Sequence, residues 1–204
     1  MMSRTKMVST ALALAAAVSV SSLAYAGKFN KVLSIGNAAP AWSGIVGTDD
    51  QDHALADYKD AKALVLVFTC NHCPVAVACE DRIIQLQKDY ADKGVQVLAI
   101  NVNNVEADRL DKMKERAAEK GFNFPYLYDP TQKIARDHGA AVTPDVVLLD
   151  GNRQVAYMGL IDDEPLNPSN VQRTYLRDAI DAVLAGQKPE IAETKPQGCG
   201  IRYE

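Results

Sequence analysis

Apolar and polar positions fall along this chain in two rhythms. Ala63-Leu64-Val65-Leu66-Val67-Phe68 is a short, unbroken, β-branched run, the pattern of a strand buried on both faces. After Pro74 the rhythm changes. Val75, Val77, Ile83, Ile84 and Leu86 recur at roughly helical spacing up to Tyr90, with Glu80, Asp81, Arg82 and Lys88 between them. This predicts a helix over about 74–92 that Gly94 closes. Val95 to Val102 reads as a second buried strand, and 105–120 as a charged helix with Leu110, Met113 and Ala117 on one face, ended by Gly121. Phe124-Pro125-Tyr126-Leu127-Tyr128-Asp129-Pro130 predicts a short strand and turn, and Thr131 to His138 a small helix stopped by Gly139. A third core strand covers Asp145 to Leu149; Asp150-Gly151-Asn152 turns it, and Gln154 to Gly159 returns antiparallel. A last helix spans about 169–186, with Val171, Tyr175, Leu176, Ile180, Val183 and Leu184 inward. Residues 27–60 read as loop, with 39–42 and 44–46 expected to form a short hairpin turning near Gly47-Thr48-Asp49. With the short strand and the small helix set aside, the order β-α-β-α-β-β-α predicts an α/β sandwich.

The two ends depart from these rhythms. Arg4 and Lys6 precede an uncharged Ala/Leu/Val-rich stretch, and Ala24-Tyr25-Ala26 is a small-x-small cleavage signal. Residues 1–26 are therefore expected to be a Sec-type signal peptide cut after Ala26, followed by one domain over 27–190 and a tail over 191–204. The stretch is too short and too rich in serine to hold as a membrane anchor. The mature protein is expected in an oxidising space, periplasmic or secreted, without a stable membrane anchor. After Pro189 periodicity is lost, yet the chain closes on Gly198-Cys199-Gly200-Ile201. A formal charge of −4 with no basic stripe argues against nucleic acid.

Chemistry concentrates where the first core strand gives way to the first helix, in Phe68-Thr69-Cys70-Asn71-His72-Cys73-Pro74. Cys70 is expected just outside the first helical turn and Cys73 inside it. Unpaired N–H groups and the helix dipole there favour a thiolate at Cys70. The pair reads as a redox dithiol.

The combination resembles the thioredoxin fold, a three-layer sandwich with a central mixed β-sheet flanked by helices, and more closely its redoxin branch of peroxiredoxin-like thiol-disulfide oxidoreductases. The motifs that carry the likeness are Phe68 to Pro74, Phe124 to Asp129 and Val142-Thr143-Pro144-Asp145, with Ile161-Asp162-Asp163 and the terminal Gly198-Cys199-Gly200-Ile201. By that resemblance Pro144 is a cis-proline, and Thr143 with Pro144 shapes the groove where a partner's backbone docks. Asp162 and Asp163 lie near the site by the same likeness, or form a solvated turn.

On this reading Cys70 is the nucleophile and Cys73 resolves the mixed disulfide. A permanent bridge over so short a loop would remove little unfolded-chain entropy. His72, as the similar position does in DsbA-like motifs, tunes the thiolate. The partners are protein thiols or disulfides and a redox protein that donates or accepts electrons; no cofactor and no metal are expected. A thiol peroxidase is the alternative, with Cys73 peroxidatic, but Leu66 and Cys70 stand where its proline and threonine belong. A Cu/Zn-binding redoxin using Cys70, His72 and Cys73, with Cys79 or Cys199 as a further ligand, is the other, and a haem attachment is excluded because Pro74 follows Cys73. Cys79 reads as an inert buried thiol. Cys199 is a possible extra redox thiol, either resolving or paired with Cys79 as a clamp. His53 and His138 are expected at the surface, and no carboxylate before Cys70 offers itself for proton transfer, leaving His72, Glu80 or water.

Overall fold

The computed structural model describes residues 27–204; the leader expected at 1–26 lies outside them. Five strands form the central sheet: β3 (Ala63–Thr69), β4 (Val95–Asn101), β5 (Tyr126–Tyr128), β7 (Asp145–Asp150) and β8 (Val155–Gly159), in the order β5-β4-β3-β7-β8. β3 runs parallel to β4 and antiparallel to β7, so the sheet is mixed, as the resemblance implies. Short strands β1 (Ile45–Val46) and β2 (Asp52–His53) pair with each other, as do β6 (Val142–Thr143) and β9 (Cys199–Gly200). The helices are α1 (Pro74–Tyr90), α2 (Leu110–Lys120), α3 (Lys133–His138) and α4 (Tyr175–Leu184).

Alternation along β3 explains the layers. Val65 and Val67 face α1, α4 and Met113 of α2, while Leu64, Leu66 and Phe68 face Leu33, Leu55 and the α3 residues Ile134 and Ala135. Every residue of β3 is buried, which a continuous apolar run needs when both sheet faces are covered. Each such side chain contributes roughly 1.5–3 kcal/mol of transfer free energy. Among the described residues no helix is long and apolar enough to cross a membrane.

The structure corrects three expectations. The hairpin near residue 47 joins Ile45–Val46 to Asp52–His53; residues 39–42 are not its partner strand. The second and last helices start later than their patterns suggest, at Leu110 and Tyr175, because single 3₁₀ turns at Glu106–Asp108 and Pro168–Asn170 precede them. His138 is fully buried, packed 5.6 Å from the Phe68 ring, and its Nδ1 bonds the Ile134 carbonyl at 2.8 Å. Burial holds its imidazole below the ordinary histidine value.

Candidate active site

β3 ends at Thr69, and residues 70–73 carry the chain from the sheet to α1. Pro74 occupies the first helical position, where a missing N–H costs nothing, and Cys73 is the residue that caps the helix with extended backbone (φ −77°, ψ 119°). Three residues earlier, Cys70 sits at the mouth of the strand. Both side chains are buried, Cys70 at 2% and Cys73 at 0% exposure, so the expected solvent access of Cys70 is not what the structure shows.

The two sulfurs converge on one residue. Cys70 Sγ lies 3.3 Å from Thr143 Oγ1, and Cys73 Sγ donates to the Thr143 carbonyl at 3.1 Å. The Thr143–Pro144 peptide bond is cis. The two motifs that the chain separates by some seventy residues thus form one site.

Electrostatics divide the pair in a way that sequence spacing does not show. Burial, with a further contribution from the Asp108 carboxylate, pushes the Cys70 thiol up to about 11, against a lowering hydrogen bond from Thr143. Burial acts on Cys73 too. The neighbouring Cys199, the Ala76 backbone and Thr143 act against it, and Cys73 lies below the ordinary thiol value. The two thiols therefore fall on opposite sides of the ordinary value, Cys70 beside the Asp108 carboxylate and Cys73 beside Cys199.

That carboxylate is the functional residue which sequence reasoning missed. Asp108, fully buried, accepts from the Asn71 N–H at 2.7 Å, from the His72 N–H at 3.3 Å and from His72 Nδ1. Asn71 also donates to the Ala107 carbonyl at 2.8 Å and accepts from the Tyr126 hydroxyl at 2.9 Å, while Asn101 donates to the Asp108 carbonyl and to the Tyr126 oxygen. The 70–73 turn is bolted to the 106–108 turn by this network. Asp108 comes from the loop after β4 rather than from β3, so no local pattern points to it. Glu80, by contrast, is held by Arg116 through Nε at 3.0 Å and Nη2 at 2.6 Å on the α2 side. It is not placed for proton transfer at the dithiol.

Cys70 Sγ, one His72 nitrogen and one Asp108 oxygen lie within 4.8 Å of one another and form a candidate donor set for a metal ion among the described residues. Cys79 is buried against Arg82, whose Nη2 lies 3.2 Å from its sulfur. Asp162 is buried and holds Arg82 at 2.5–2.6 Å, so it anchors α1; Asp163 accepts from the N–H groups of Gln172 and Arg173 as a turn. His53 is partly buried, with Nδ1 2.5 Å from the Tyr58 hydroxyl. Cys199 packs beside Cys73, not beside Cys79, which removes the clamp.

Comparison with known proteins agrees with the fold. The chain superposes on a hypothetical protein of Sinorhizobium meliloti 1021 with a TM-score of 0.80 at 32% identity, covering 86% of this chain and 97% of that one. An uncharacterized conserved protein of Geobacillus kaustophilus gives 0.79 at 36% identity over 84% and 93%. A thiol:disulfide interchange protein of the thioredoxin family from Chlorobium tepidum TLS shares the fold, with a TM-score of 0.58 at 22% identity over 74% and 98%. No curated protein sequence matches the chain. The Redoxin family model matches residues 34–174, well over half of the sequence, and the chain belongs to the redoxin family.

Proposed function

We propose that this redoxin carries out thiol–disulfide exchange on other proteins through Cys70 and Cys73. One observation carries the reading: both sulfurs meet at Thr143, directly before Pro144 and at the start of α1. The family and the thiol:disulfide interchange protein that shares its fold support the same chemistry.

The steps are assigned as follows. His72, oriented by the buried Asp108 carboxylate and with a ring nitrogen within 4.8 Å of Cys70 Sγ, takes the Cys70 proton. Cys70 sulfur attacks a partner disulfide, forming a mixed disulfide and releasing one partner thiolate, which is protonated. Cys73, whose thiolate is favoured, then attacks the Cys70 sulfur, closes the Cys70–Cys73 disulfide and frees the second partner thiol. Two electrons pass to the partner, and the reverse sequence oxidises a partner dithiol. The leader-like residues 1–26 support an oxidising working compartment, periplasmic or secreted.

Trapping tests the reading. Cys73→Ala should leave mixed disulfides with partner proteins attached at Cys70, and these should vanish in the Cys70→Ala, Cys73→Ala double variant. A Cys73→Ala protein that captures nothing beyond the double variant overturns it. A second reading, a metal centre, is favoured by the compact Cys70–His72–Asp108 donor set. Stoichiometric Zn(II) uptake under reducing conditions that His72→Ala abolishes would mark it.

A further inference from the structure

Two buried sulfurs cannot exchange with another protein until something moves, and this chain's own C-terminal segment packs against their cluster through Cys199. β9 pairs antiparallel with β6, setting Cys199 opposite Thr143 and Gly200 opposite Val142, and the Ile201 N–H continues the ladder to the Ala141 carbonyl at 3.1 Å. Gly198 runs so close to Thr143 that a Cβ there would lie 2.1 Å from its carbonyl oxygen and 2.7 Å from its carbonyl carbon. Further on, Gln132 holds the Arg202 carbonyl at 2.8 Å, Tyr203 donates to the Ala140 carbonyl at 2.6 Å, and the Arg136 guanidinium lies 4.4 Å over the Tyr203 ring. The strap is thus latched to α3 and lies on the strand edge beside the dithiol, where an extended partner would add by backbone pairing.

The strap also brings a thiol. Cys199 is a free thiol and packs in one cluster with Cys70, Cys73 and Ala76. The proximity of the two thiols pushes Cys199 above the ordinary thiol value and helps to hold Cys73 below it.

We propose that Cys199 is a third redox thiol of this site, which takes over the Cys70–Cys73 disulfide as a Cys73–Cys199 disulfide and so locks the strap over the docking edge. The proposal rests on the exchange reading above. In the step, Cys199 sulfur attacks Cys73 Sγ; the Cys73–Cys199 bond forms as the Cys70–Cys73 bond breaks. The electron pair leaves with Cys70, which takes up the proton that Cys199 loses. No external oxidant or reductant is consumed. The oxidised protein then has two forms: an open one, with Cys70–Cys73 bridged and the strap free to leave, and a closed one, with Cys70 reduced and the edge covered.

Disulfide mapping by mass spectrometry after alkylation tests this in glutathione buffers that fully oxidise the wild-type protein. Cys70→Ser should form a Cys73–Cys199 disulfide, and Cys73→Ser should leave Cys199 fully alkylatable. In the wild type, Cys199→Ser should remove the fraction of oxidised molecules in which Cys70 can still be alkylated. The proposal is overturned if Cys199 stays alkylatable in Cys70→Ser, if it pairs with Cys70 or Cys79 instead, or if Cys199→Ser leaves that Cys70 fraction unchanged. Failure of the exchange reading is distinct: there, Cys70 and Cys73 of the wild type form no disulfide and trap no partner.

Discussion

Two segments meet at Thr143, the 70–74 turn and the 198–201 strap, and they are held in opposite ways. The turn is gripped by side chains: Asn71, His72 and Tyr126 join in a polar network around the buried Asp108. The strap is gripped by its backbone, through ladder bonds to Val142 and Thr143 and a glycine that permits the close approach. A side-chain network that pairs a buried carboxylate is costly to disturb, whereas a two-residue backbone ladder opens with little free energy. The contrast suits the chemistry. The reacting sulfurs need a fixed geometry, and the cover over them needs to leave.

The largest break in that comparison comes from the sulfurs themselves. Cys70→Ser or Cys73→Ser should reduce disulfide-reductase turnover to the uncatalysed background, read with a fluorescent disulfide substrate, while the fold persists.

Asp108→Asn attacks the network behind the turn and separates two effects. Loss of an oriented base should slow exchange by about 10²-fold. Removing the carboxylate should also lower the Cys70 thiol from its position near 11, because that negative charge adds to the burial that raises it. Iodoacetamide labelling of Cys70 against pH reads both signs. The wild-type rate should climb towards pH 11, and the variant's midpoint should fall at lower pH.

On the strap side, Gly198→Val should expel β9, since no side chain fits within 2.1 Å of a carbonyl oxygen. Loss of about 1–2 kcal/mol of local stability raises the open fraction about 5–30-fold. Faster alkylation of Cys70 and Cys73 at neutral pH, with little change in global Tm, is the expected readout. Arg136→Ala removes only the latch on the Tyr203 ring and on the chain's last residue, and about 0.5–1 kcal/mol there gives roughly a 2–5-fold increase in the same labelling.

The same contrast explains what the sequence made legible. β3, α1, β4 and β7 are packed through side-chain faces, and face packing leaves periodicity, so Ala63–Phe68 and Val75–Leu86 can be read directly. Cys70, Cys73, Thr143 and Pro144 were legible as motifs, and the fold does bring them together. Asp108 was not. It lies in a charged stretch among Glu106, Arg109 and Asp111, and only the crossing of two loops buries it against His72. His138 was misplaced because a lone polar residue at a helix end looks exposed until a Phe68 ring closes over it. The tail showed no rhythm because its grip is backbone ladder and polar anchoring, as where Glu193 accepts the N–H groups of Lys28, Phe29 and Asn30. Such packing leaves glycines and one cysteine as its only trace.

The most direct test of the central claim is a redox titration of Cys70 and Cys73. The protein is equilibrated in graded thiol buffers, quenched and alkylated, and each cysteine is read by mass spectrometry. The account predicts that Cys73 passes from alkylatable to disulfide-bonded in a two-electron transition between about −270 mV and about −120 mV, the range from thioredoxin-like reductants to DsbA-like oxidants, with Cys70 bridged to it in part or all of the oxidised molecules. A Cys73 that stays alkylatable across the whole range would contradict it.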